Sequence, residues 1–230
     1  MRNKKGRNKM VSIAIDGPAG AGKSTIARAA SKELGYIYVD TGALYRSIGL
    51  YMIRHGISLQ DAEAIAFNVE NVQIELKFIQ GEQRVFLGEE DVSDLIRTPE
   101  VSMAASAVSA VPKVRQFLLD LQKDMAKKNN VVMDGRDIGT VVLPNADVKI
   151  FLTASAEERA KRRCKELEEK GQAVSYQEVL TDIQQRDYND SHREIAPLKQ
   201  AEDAVLLDTS HLDLQQSIQA LLDLVKNKLN

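Results

Sequence analysis

Apolar residues along this chain follow two spacings, and the alternation between them predicts its elements. Short, almost continuous apolar runs predict buried strands at 11–16, 36–40, 131–134, 148–152 and 204–208. Between several of these runs, apolar positions three and four residues apart predict amphipathic helices. Strands that alternate with helices in this way are typical of buried parallel sheets, so the pattern predicts an α/β fold.

Capping and turn residues indicate where the helices begin and end. The predicted helices cover 23–34, 43–55, 112–128, 157–170 and 214–229, with others beginning near 58, 99 and 175. Gly35 favours a stop after the first helix, because glycine adopts the left-handed conformation common beyond helix ends. Pro99 and Pro112 suit first helical positions. Ser58 and Ser175, each with an acidic residue three positions later, have the spacing of capping boxes.

The spacing changes between residues 71 and 98. At 72–78, apolar and polar residues alternate strictly, which predicts a half-buried strand. Gly81 is expected to turn the chain, and residues 84–87 are expected to return it as a second, antiparallel strand. Antiparallel sheets tolerate water on one face, so 71–98 is predicted to form a small accessory lobe.

Composition and charge narrow the class of protein. The chain has 230 residues, 43% of them hydrophobic, and can bury a core as a single domain, which we expect to span 11–230. A formal net charge of −2 argues against a dedicated nucleic-acid binder. No apolar run approaches the roughly 18 residues of a membrane span. Residues 1–10 are basic and lack a signal peptide's apolar stretch. They are predicted to be a disordered tail or, alternatively, an arm that attracts phosphate or nucleic acid.

Cysteine usage bears on the compartment. Cys164 is the only cysteine, so neither an intrachain disulfide nor a cysteine-based metal site can form. This usage fits a reducing environment and predicts a cytoplasmic protein. Cys164 falls within a charged helix, and we interpret it as an ordinary helix residue. No self-complementary apolar patch is evident, so a monomer is expected.

The segment between the first strand and the first helix carries the strongest chemical signal. Residues 17–24 fit the pattern G-x-x-x-x-G-K-[ST], whose glycines let successive backbone N–H groups point at one anion. Lys23 would reach the terminal phosphates, and Ser24 would offer its hydroxyl to Mg²⁺ at a helix N-terminus. A glycine-rich turn without a ligand is the alternative, and the order of strand, loop and helix argues against it. The predicted phosphate-binding residues are Gly17, Pro18, Ala19, Gly20, Ala21, Gly22, Lys23, Ser24 and Thr25.

Polar residues also follow the second and third strands, at the edge where open parallel sheets bind ligands. Thr41, Gly42 and Arg46 follow the second strand and suit a second anionic substrate. Thr41 could also cap the helix that begins there. Asp134 ends the third strand, where a carboxylate can hold Mg²⁺ through water. Aspartate at a strand end is also a common turn former, so the placement alone leaves both roles open.

Arginines are concentrated in two later helices. The first of these helices carries Arg159, Arg162 and Arg163. They could clamp phosphates or pair with glutamates of the same helix, and the pattern alone favours the solvated face. The alternating acids and bases at 186–193 would normally form exposed pairs within one helix. Composition alone also places Ser106 and Arg115 towards solvent.

Taken together, four segments resemble nucleoside monophosphate kinases, and more narrowly the bacterial cytidylate kinases. They are 15–24, 40–46, 134–142 and 186–198. The first two are shared broadly among nucleotide kinases, whereas the last two and the insertion at 71–98 point to cytidylate. The resemblance implies a P-loop NTPase-like α/β/α core with a five-stranded parallel sheet. It places the core at 11–57 and 129–230, a monophosphate-binding lobe at 58–128 and a short lid at 157–193.

The resemblance also implies roles for individual residues in binding MgATP and CMP or dCMP. The acceptor's phosphate would be contacted by Arg46, Arg136 and Arg193, with Arg186 and Asp190 completing that end. The cytosine and ribose would be contacted by Ser106, Arg115 and Asp137, flanked by Thr41, Tyr45 and Gly135. The lid over ATP would contain Arg159, Arg162 and Arg163. Catalysis would depend on Lys23, Arg136, Arg186 and Arg193, and Mg²⁺ would be held by Ser24 and Asp134.

The predicted reaction is in-line transfer of the γ-phosphoryl group of ATP to CMP or dCMP, without a covalent intermediate. One alternative is a kinase for UMP, AMP or a small hydroxylated metabolite. Another is a GTP-dependent switch, but no N-K-x-D guanine-binding motif stands at a suitable place. A nucleic-acid-binding role is opposed by the net charge.

Overall fold

The computed structural model describes residues 10–79, 82–169 and 171–229. The predicted tail before Met10 and the predicted turn at Gly81 lie outside these ranges. The described strands are β1 (Ser12–Asp16), β2 (Ile37–Asp40), β3 (Ile74–Ile79), β4 (Glu82–Leu87), β5 (Glu90–Asp91), β6 (Val131–Gly135), β7 (Val148–Thr153) and β8 (Val205–Asp208). The described α-helices are α1 (Lys23–Leu34), α2 (Thr41–Arg54), α3 (Ala62–Asn68), α4 (Pro99–Ser109), α5 (Pro112–Lys128), α6 (Ala156–Glu169), α7 (Tyr176–His192) and α8 (Leu214–Leu229).

Five strands form a parallel sheet in the order β2-β6-β1-β7-β8. All five were predicted, and the observed ends differ from the predicted ones by at most one residue. In this register Asp16 lies opposite Gly135 and Asp40 lies opposite Asp134. The carboxyl ends of β1, β2 and β6 therefore meet at one edge, as expected for a ligand-binding edge of an open sheet.

Apolar residues cover both faces of this sheet. On one face, side chains of β1 and β7, including Ile13 and Ile150, pack with Ile26 of α1 and Leu221 of α8. On the other, residues of β2 and β6 pack with Ala126 of α5 and with a π-helix at Ile138–Val142. Burial on both faces explains why the parallel strands are almost continuously apolar, and it gives the predicted three-layer α/β/α arrangement.

The accessory lobe contains a three-stranded antiparallel sheet in the order β3-β4-β5. The two longer strands were predicted from their period of two. β5 was missed because its two residues are too short to show any period. The sheet packs its inner face, including Val85, on α2 and α4, and Val92 and Ile96 close this second core.

Most helix boundaries agree with the capping prediction. Pro99 and Pro112 are first helical residues, and Gly35 ends α1 with φ of 70°. Two predicted caps are wrong. Asp40 rather than Thr41 caps α2, accepting the Ala43 N–H at 2.9 Å, and Asp61 rather than Ser58 caps α3. A carboxylate stands at each helix start and accepts the N–H three residues later, which leaves the nearby hydroxyl free for another partner.

Gly49 on α2 and Cys164 on α6 are buried positions in helices. α2 and α4 approach closely at Gly49, where an added Cβ would lie 2.9 Å from the Ala104 Cβ. Cys164 is buried on α6 beside Ala160 and Leu167. Among the described residues, the helices are all too short or too polar to cross a membrane.

Candidate active site

A cavity of about 860 Å³ opens at the carboxyl edge of the parallel sheet. It is bounded by the loop after β1, the first turns of α1 and α2, the inner face of α4, the turn after β6, and helices α6 and α7. Every residue predicted for the site lines this cavity except Gly17 and Pro18. The fold thus gathers side chains that lie more than 150 positions apart in the chain.

Gly17 begins the phosphate-binding loop in a conformation that only glycine adopts without strain. Its φ is +151°, and an added Cβ would lie 1.9 Å from the backbone oxygen of Leu152. Gly20 and Gly22 also have positive φ, at 73° and 86°. The glycines therefore allow the loop to curl tightly against β7, which leaves its backbone N–H groups available to an anion.

Lys23 is 5% exposed, and its Nζ donates to the carbonyl oxygen of Pro18 at 2.7 Å. Burial, followed by the nearby positive charge of Arg136, lowers the pKa of Lys23 below its ordinary value. Neighbouring protein groups therefore offset only part of the cost of burying the positive charge of Lys23. A bound polyphosphate would supply the missing negative charge.

Ser24 and Asp134 form the candidate Mg²⁺ site. The Ser24 hydroxyl donates to Asp134 Oδ2 at 3.0 Å, and the Tyr38 hydroxyl donates to Oδ1 at 2.8 Å. Burial, and then the neighbouring Asp40, raise the pKa of Asp134. Hydroxyl and carboxylate oxygens suit Mg²⁺, and a nearby cation would favour the ionised carboxylate. The described residues hold no cluster of three or more candidate metal ligands, so an ion here would need oxygens from a nucleotide and water.

Three arginines of the cavity differ in the hydrogen bonds that their guanidinium groups make to protein acceptors. Arg46 donates to Asp40 at 2.8 Å, and Arg136 donates to Asp190 at 2.8 Å. Arg186 makes no hydrogen bond to any described residue, and its buried Nε has no partner. Burial, followed by Arg136, lowers the pKa of Arg186 to about 10, so it remains charged at neutral pH. A half-buried cation whose buried Nε has no hydrogen-bond acceptor among the described residues marks a place for an anionic ligand.

A second group of charges lies around Asp137, which is 4% exposed. Arg115 Nη2 donates to Asp137 Oδ2, and Arg193 Nη2 lies 3.9 Å from Oδ1. The prediction from composition that Arg115 faces solvent is wrong, because its side chain is only 10% exposed. Ser106 on α4 is half-buried and lines the cavity, so it is not fully solvent-facing either. The structure places Arg193 in this group, whereas the resemblance grouped it with the phosphate-binding arginines.

The arginines of α6 have three different environments. Arg159 is 4% exposed and donates to the Ala19 carbonyl in the phosphate-binding loop and to Asp187 on α7. Arg162 donates to the Thr209 carbonyl at 2.6 Å. The expected pairing within α6 is seen for Arg163, which donates to Glu166 at 2.8 Å, and also for Arg162, which lies 3.8 Å from Glu158. The solvated-face interpretation therefore fails for Arg159.

The acids of α7 also differ from the sequence expectation. Asp187 pairs with α6, and Asp190 pairs with Arg136 in the turn after β6. These are contacts between elements, so the prediction of exposed pairs within α7 is wrong at these positions. Spacing on one helix cannot show that a neighbouring element offers a more buried partner.

Sequence reasoning missed a structural role for Asp16. Its two carboxylate oxygens accept the N–H groups of Ile138 and Gly139, each at 2.7 Å, and it is 4% exposed. Burial raises its pKa to about 6 even though these hydrogen bonds act in the opposite direction. Asp16 therefore ties the phosphate-binding loop to the turn that carries Arg136 and Asp137. No local sequence pattern predicts these hydrogen bonds, since the partners lie 122 and 123 residues away from Asp16.

Gln83 was also missed. From β4 of the accessory sheet, its Oε1 accepts the Asp40 N–H at 3.0 Å. Asp40 in turn holds Arg46 and caps α2, so the accessory sheet contacts the cavity wall through one side chain.

Known proteins provide an independent comparison. Residues 13–227 match the family described as cytidylate kinase. The cytidylate kinase of Caldicellulosiruptor saccharolyticus is 53% identical over 216 residues, covering 94% of this chain and 96% of that protein. The cytidylate kinase of an Exiguobacterium species is 52% identical over 218 residues, covering 95% and 97%. A solved structure of an uncharacterised protein from Eubacterium ventriosum superimposes with a TM-score of 0.53 at 11% identity, covering 94% of this chain and 99% of that one, and shares the fold. The chain belongs to the cytidylate kinase family.

Proposed function

We propose that this protein transfers the γ-phosphoryl group of MgATP to CMP or dCMP, giving CDP or dCDP. The observation that carries the proposal is the unpartnered Arg186 in a cavity that also contains the phosphate-binding loop. One anion site lies at the loop, and a second lies among Arg46, Arg136 and Arg186. Two anion sites in one cavity suit a donor and an acceptor better than hydrolysis of a single nucleotide.

The mechanism we infer relies on charge and positioning. The acceptor oxygen belongs to a phosphate that is already an anion, so no strong general base is required. Lys23 and the arginines would stabilise the charge that spreads over the transferred oxygens. Holding both nucleotides in one cavity would lower the entropic cost of bringing their phosphates together. Mg²⁺ carried with ATP, held by Ser24 and through water by Asp134, would supply further positive charge there.

Recognition of the acceptor's base would involve the group around Asp137. A carboxylate accepts hydrogen bonds from an amino group such as that of cytosine, and uracil offers a carbonyl oxygen at the same position. Arg115 and Ser106 lie close enough to help orient this end of the nucleotide. Thr41, Tyr45 and Gly135 also line the cavity, and we propose that they flank the base and ribose.

On the donor side, the three arginines of α6 do not all suit a lid over ATP. Arg162 and Arg163 line the cavity and are partly exposed, so they can still turn towards ATP. Arg159 is bound on several sides by protein groups, and its contact with Ala19 supports a role in holding the loop. We propose the core, lobe and lid boundaries given above as the units that close around the two nucleotides.

The decisive experiment is a panel of acceptors with MgATP. Formation of ADP should depend on an added acceptor and be fastest with CMP or dCMP. A clear preference for UMP, AMP or a hydroxylated metabolite would displace this proposal, and rapid hydrolysis of GTP without an acceptor would favour a switch. A cytoplasmic monomer is also proposed. Light scattering during size-exclusion chromatography would test its oligomeric state.

A further inference from the structure

Ser109 occupies the last turn of α4, beside the charged group around Asp137. It is 7% exposed and lines the cavity. The mechanism outlined above does not use it, and no sequence motif singles it out. Its contacts nevertheless reach two of the arginines at this end of the cavity.

Both oxygens of Ser109 accept hydrogen bonds from arginine. The backbone oxygen accepts from Arg115 Nη1 at 3.2 Å, and the hydroxyl accepts from Arg193 Nη1 at 3.2 Å. The hydroxyl also donates to the carbonyl oxygen of Ser106 at 2.8 Å. Because that bond uses its one proton, the hydroxyl must present a lone pair to Arg193.

These contacts fix the orientation of the Arg193 guanidinium. Its Nε donates to the Ala196 carbonyl at 2.8 Å, and its Nη1 is held by Ser109. Its buried Nη2 has no hydrogen-bond partner among the described residues and lies 3.9 Å from Asp137 Oδ1. A planar guanidinium held at two nitrogens presents the third in a defined direction.

We propose that Ser109 is a positioning residue for the acceptor nucleotide, whose hydroxyl keeps Arg193 Nη2 directed towards the ligand beside Asp137. The inference rests on the proposed function, because it takes the acceptor to bind at this end of the cavity. The bond to Arg115 uses a backbone oxygen, so a side-chain substitution leaves it available. Of the two arginine contacts, loss of the hydroxyl therefore removes only the one to Arg193, together with the hydrogen bond to the Ser106 carbonyl.

The test is Ser109→Ala, studied by steady-state kinetics and by calorimetric titration with CMP. The dissociation constant and the KM for CMP should rise by about five- to tenfold, the size of effect typical of losing one ordinary hydrogen bond. The KM for ATP should not change, and kcat should stay within about twofold. Ser109→Thr, which keeps the hydroxyl, should retain tight binding.

A matched control is available in α1. Ser31 is 3% exposed, and its hydroxyl donates to the Arg28 carbonyl three residues earlier at 2.8 Å, as Ser109 does to Ser106. Ser31 lies outside the cavity, and its hydroxyl contacts a backbone carbonyl rather than a guanidinium, so Ser31→Ala should leave both KM values unchanged. A similar rise in the KM for CMP in this variant would show a general loss of helix packing and overturn the proposal.

A double-mutant cycle keeps the test decisive if the threonine variant does not fold. In an Arg193→Ala background, Ser109→Ala should add no further weakening of CMP binding. Additive effects, or unchanged CMP affinity in Ser109→Ala, would overturn the role of Ser109 while leaving the proposed function intact. Failure of the unmodified protein to phosphorylate CMP would instead reject the proposed function, so that measurement comes first.

Discussion

Arg186 carries a positive charge into the cavity without a protein acceptor to hold it. We expect Arg186→Ala to reduce turnover by at least about a hundredfold, because a preorganised charge at the reacting phosphates is lost. Lys23→Met should have an effect of similar size for the same reason. Turnover would be measured by coupled detection of ADP at saturating CMP and ATP.

A control for this prediction is Arg54→Ala. Arg54 pairs with Glu90 and has a side chain that is 38% exposed, and it does not line the cavity. Its loss should change turnover by less than about twofold, since exposed ion pairs contribute little. Near-normal turnover in Arg186→Ala would contradict the role assigned to that residue.

Asp16 predicts a pH dependence of stability. Its pKa in the folded protein is about 6, against an ordinary value of 3.8. Between these values the folded protein keeps a proton that the unfolded chain has released, so its stabilising contribution falls as pH rises. The loss is on the order of 3 kcal/mol. Asp16→Asn cannot titrate, so its free energy of unfolding should lack this component.

Urea unfolding at pH 4 and pH 7 would measure this component. The other carboxylates titrate in both proteins and largely cancel from the difference. The unfolding free energy of the native protein should exceed that of Asp16→Asn by more at pH 4 than at pH 7. An equal gap at both values, or a larger gap at pH 7, would be inconsistent with a raised pKa.

At the residue scale, the sequence predicted those cavity-lining side chains whose positions follow from their neighbours in the chain. Lys23 and Ser24 follow glycines in a fixed pattern, and Asp134 ends an apolar strand. Arg115 was misplaced because its partner Asp137 comes from a different element. Whether a polar side chain is buried against a distant partner depends on tertiary structure, which local spacing does not contain.

At the element scale, the close approach of α2 and α4 depends on Gly49. A Cβ there would lie 2.9 Å from the Ala104 Cβ and 3.0 Å from the Ala105 nitrogen. Gly49→Ala should therefore lower the free energy of unfolding by about 1–2 kcal/mol, since overpacking outweighs the roughly 1 kcal/mol helix-propensity gain of alanine. Thermal or urea unfolding would measure the change.

The substitution Ala104→Gly tests whether the contact between the two Cβ atoms causes this loss of stability. Alone it should destabilise, because it places glycine in a helix. The double variant with Gly49→Ala should lose less unfolding free energy than the sum of the two single variants, since the overlap between the two Cβ atoms is removed. Strictly additive effects would show that the two positions do not meet. The packing matters for the site because α4 carries Ser106 and Ser109 into the cavity wall.

The elements were predictable where one local signal dominated. Proline at a first helical turn and a glycine after a helix end fix boundaries by backbone geometry, as at Pro99 and Gly35. The π-helix at Ile138–Val142 was not predicted. The first turn of this π-helix is held by Asp16 of β1, whose carboxylate accepts the N–H groups of Ile138 and Gly139. The π-helix therefore depends on a side chain from a distant part of the chain, which the sequence of the helix itself cannot predict.

At the scale of the whole molecule, the apolar interior is divided. One pair of clusters flanks the parallel sheet, and another pair lies among α2, α4, α5 and the accessory sheet. The cavity lies where the two regions meet. We expect the second region and the lid to close over bound nucleotides, which would exclude water as a competing acceptor.

Small-angle X-ray scattering would detect this closure. The radius of gyration should fall when CMP and a non-hydrolysable ATP analogue are both bound, and should fall less with either one alone. A radius of gyration that does not change with both ligands would contradict closure. Gln83 is a suitable probe position, because its contact with Asp40 links the accessory sheet to the cavity wall.

The burial of Cys164 makes the moving parts accessible to site-directed labelling. It is the only cysteine of the chain and is 9% exposed. Thiol-reactive dyes should therefore react far more slowly with it than with cysteines introduced at exposed positions such as Phe67 on α3 and Lys226 on α8. A donor and acceptor fluorophore at those two positions would report the distance between the accessory region and the core during turnover, with every native side chain of the cavity left in place.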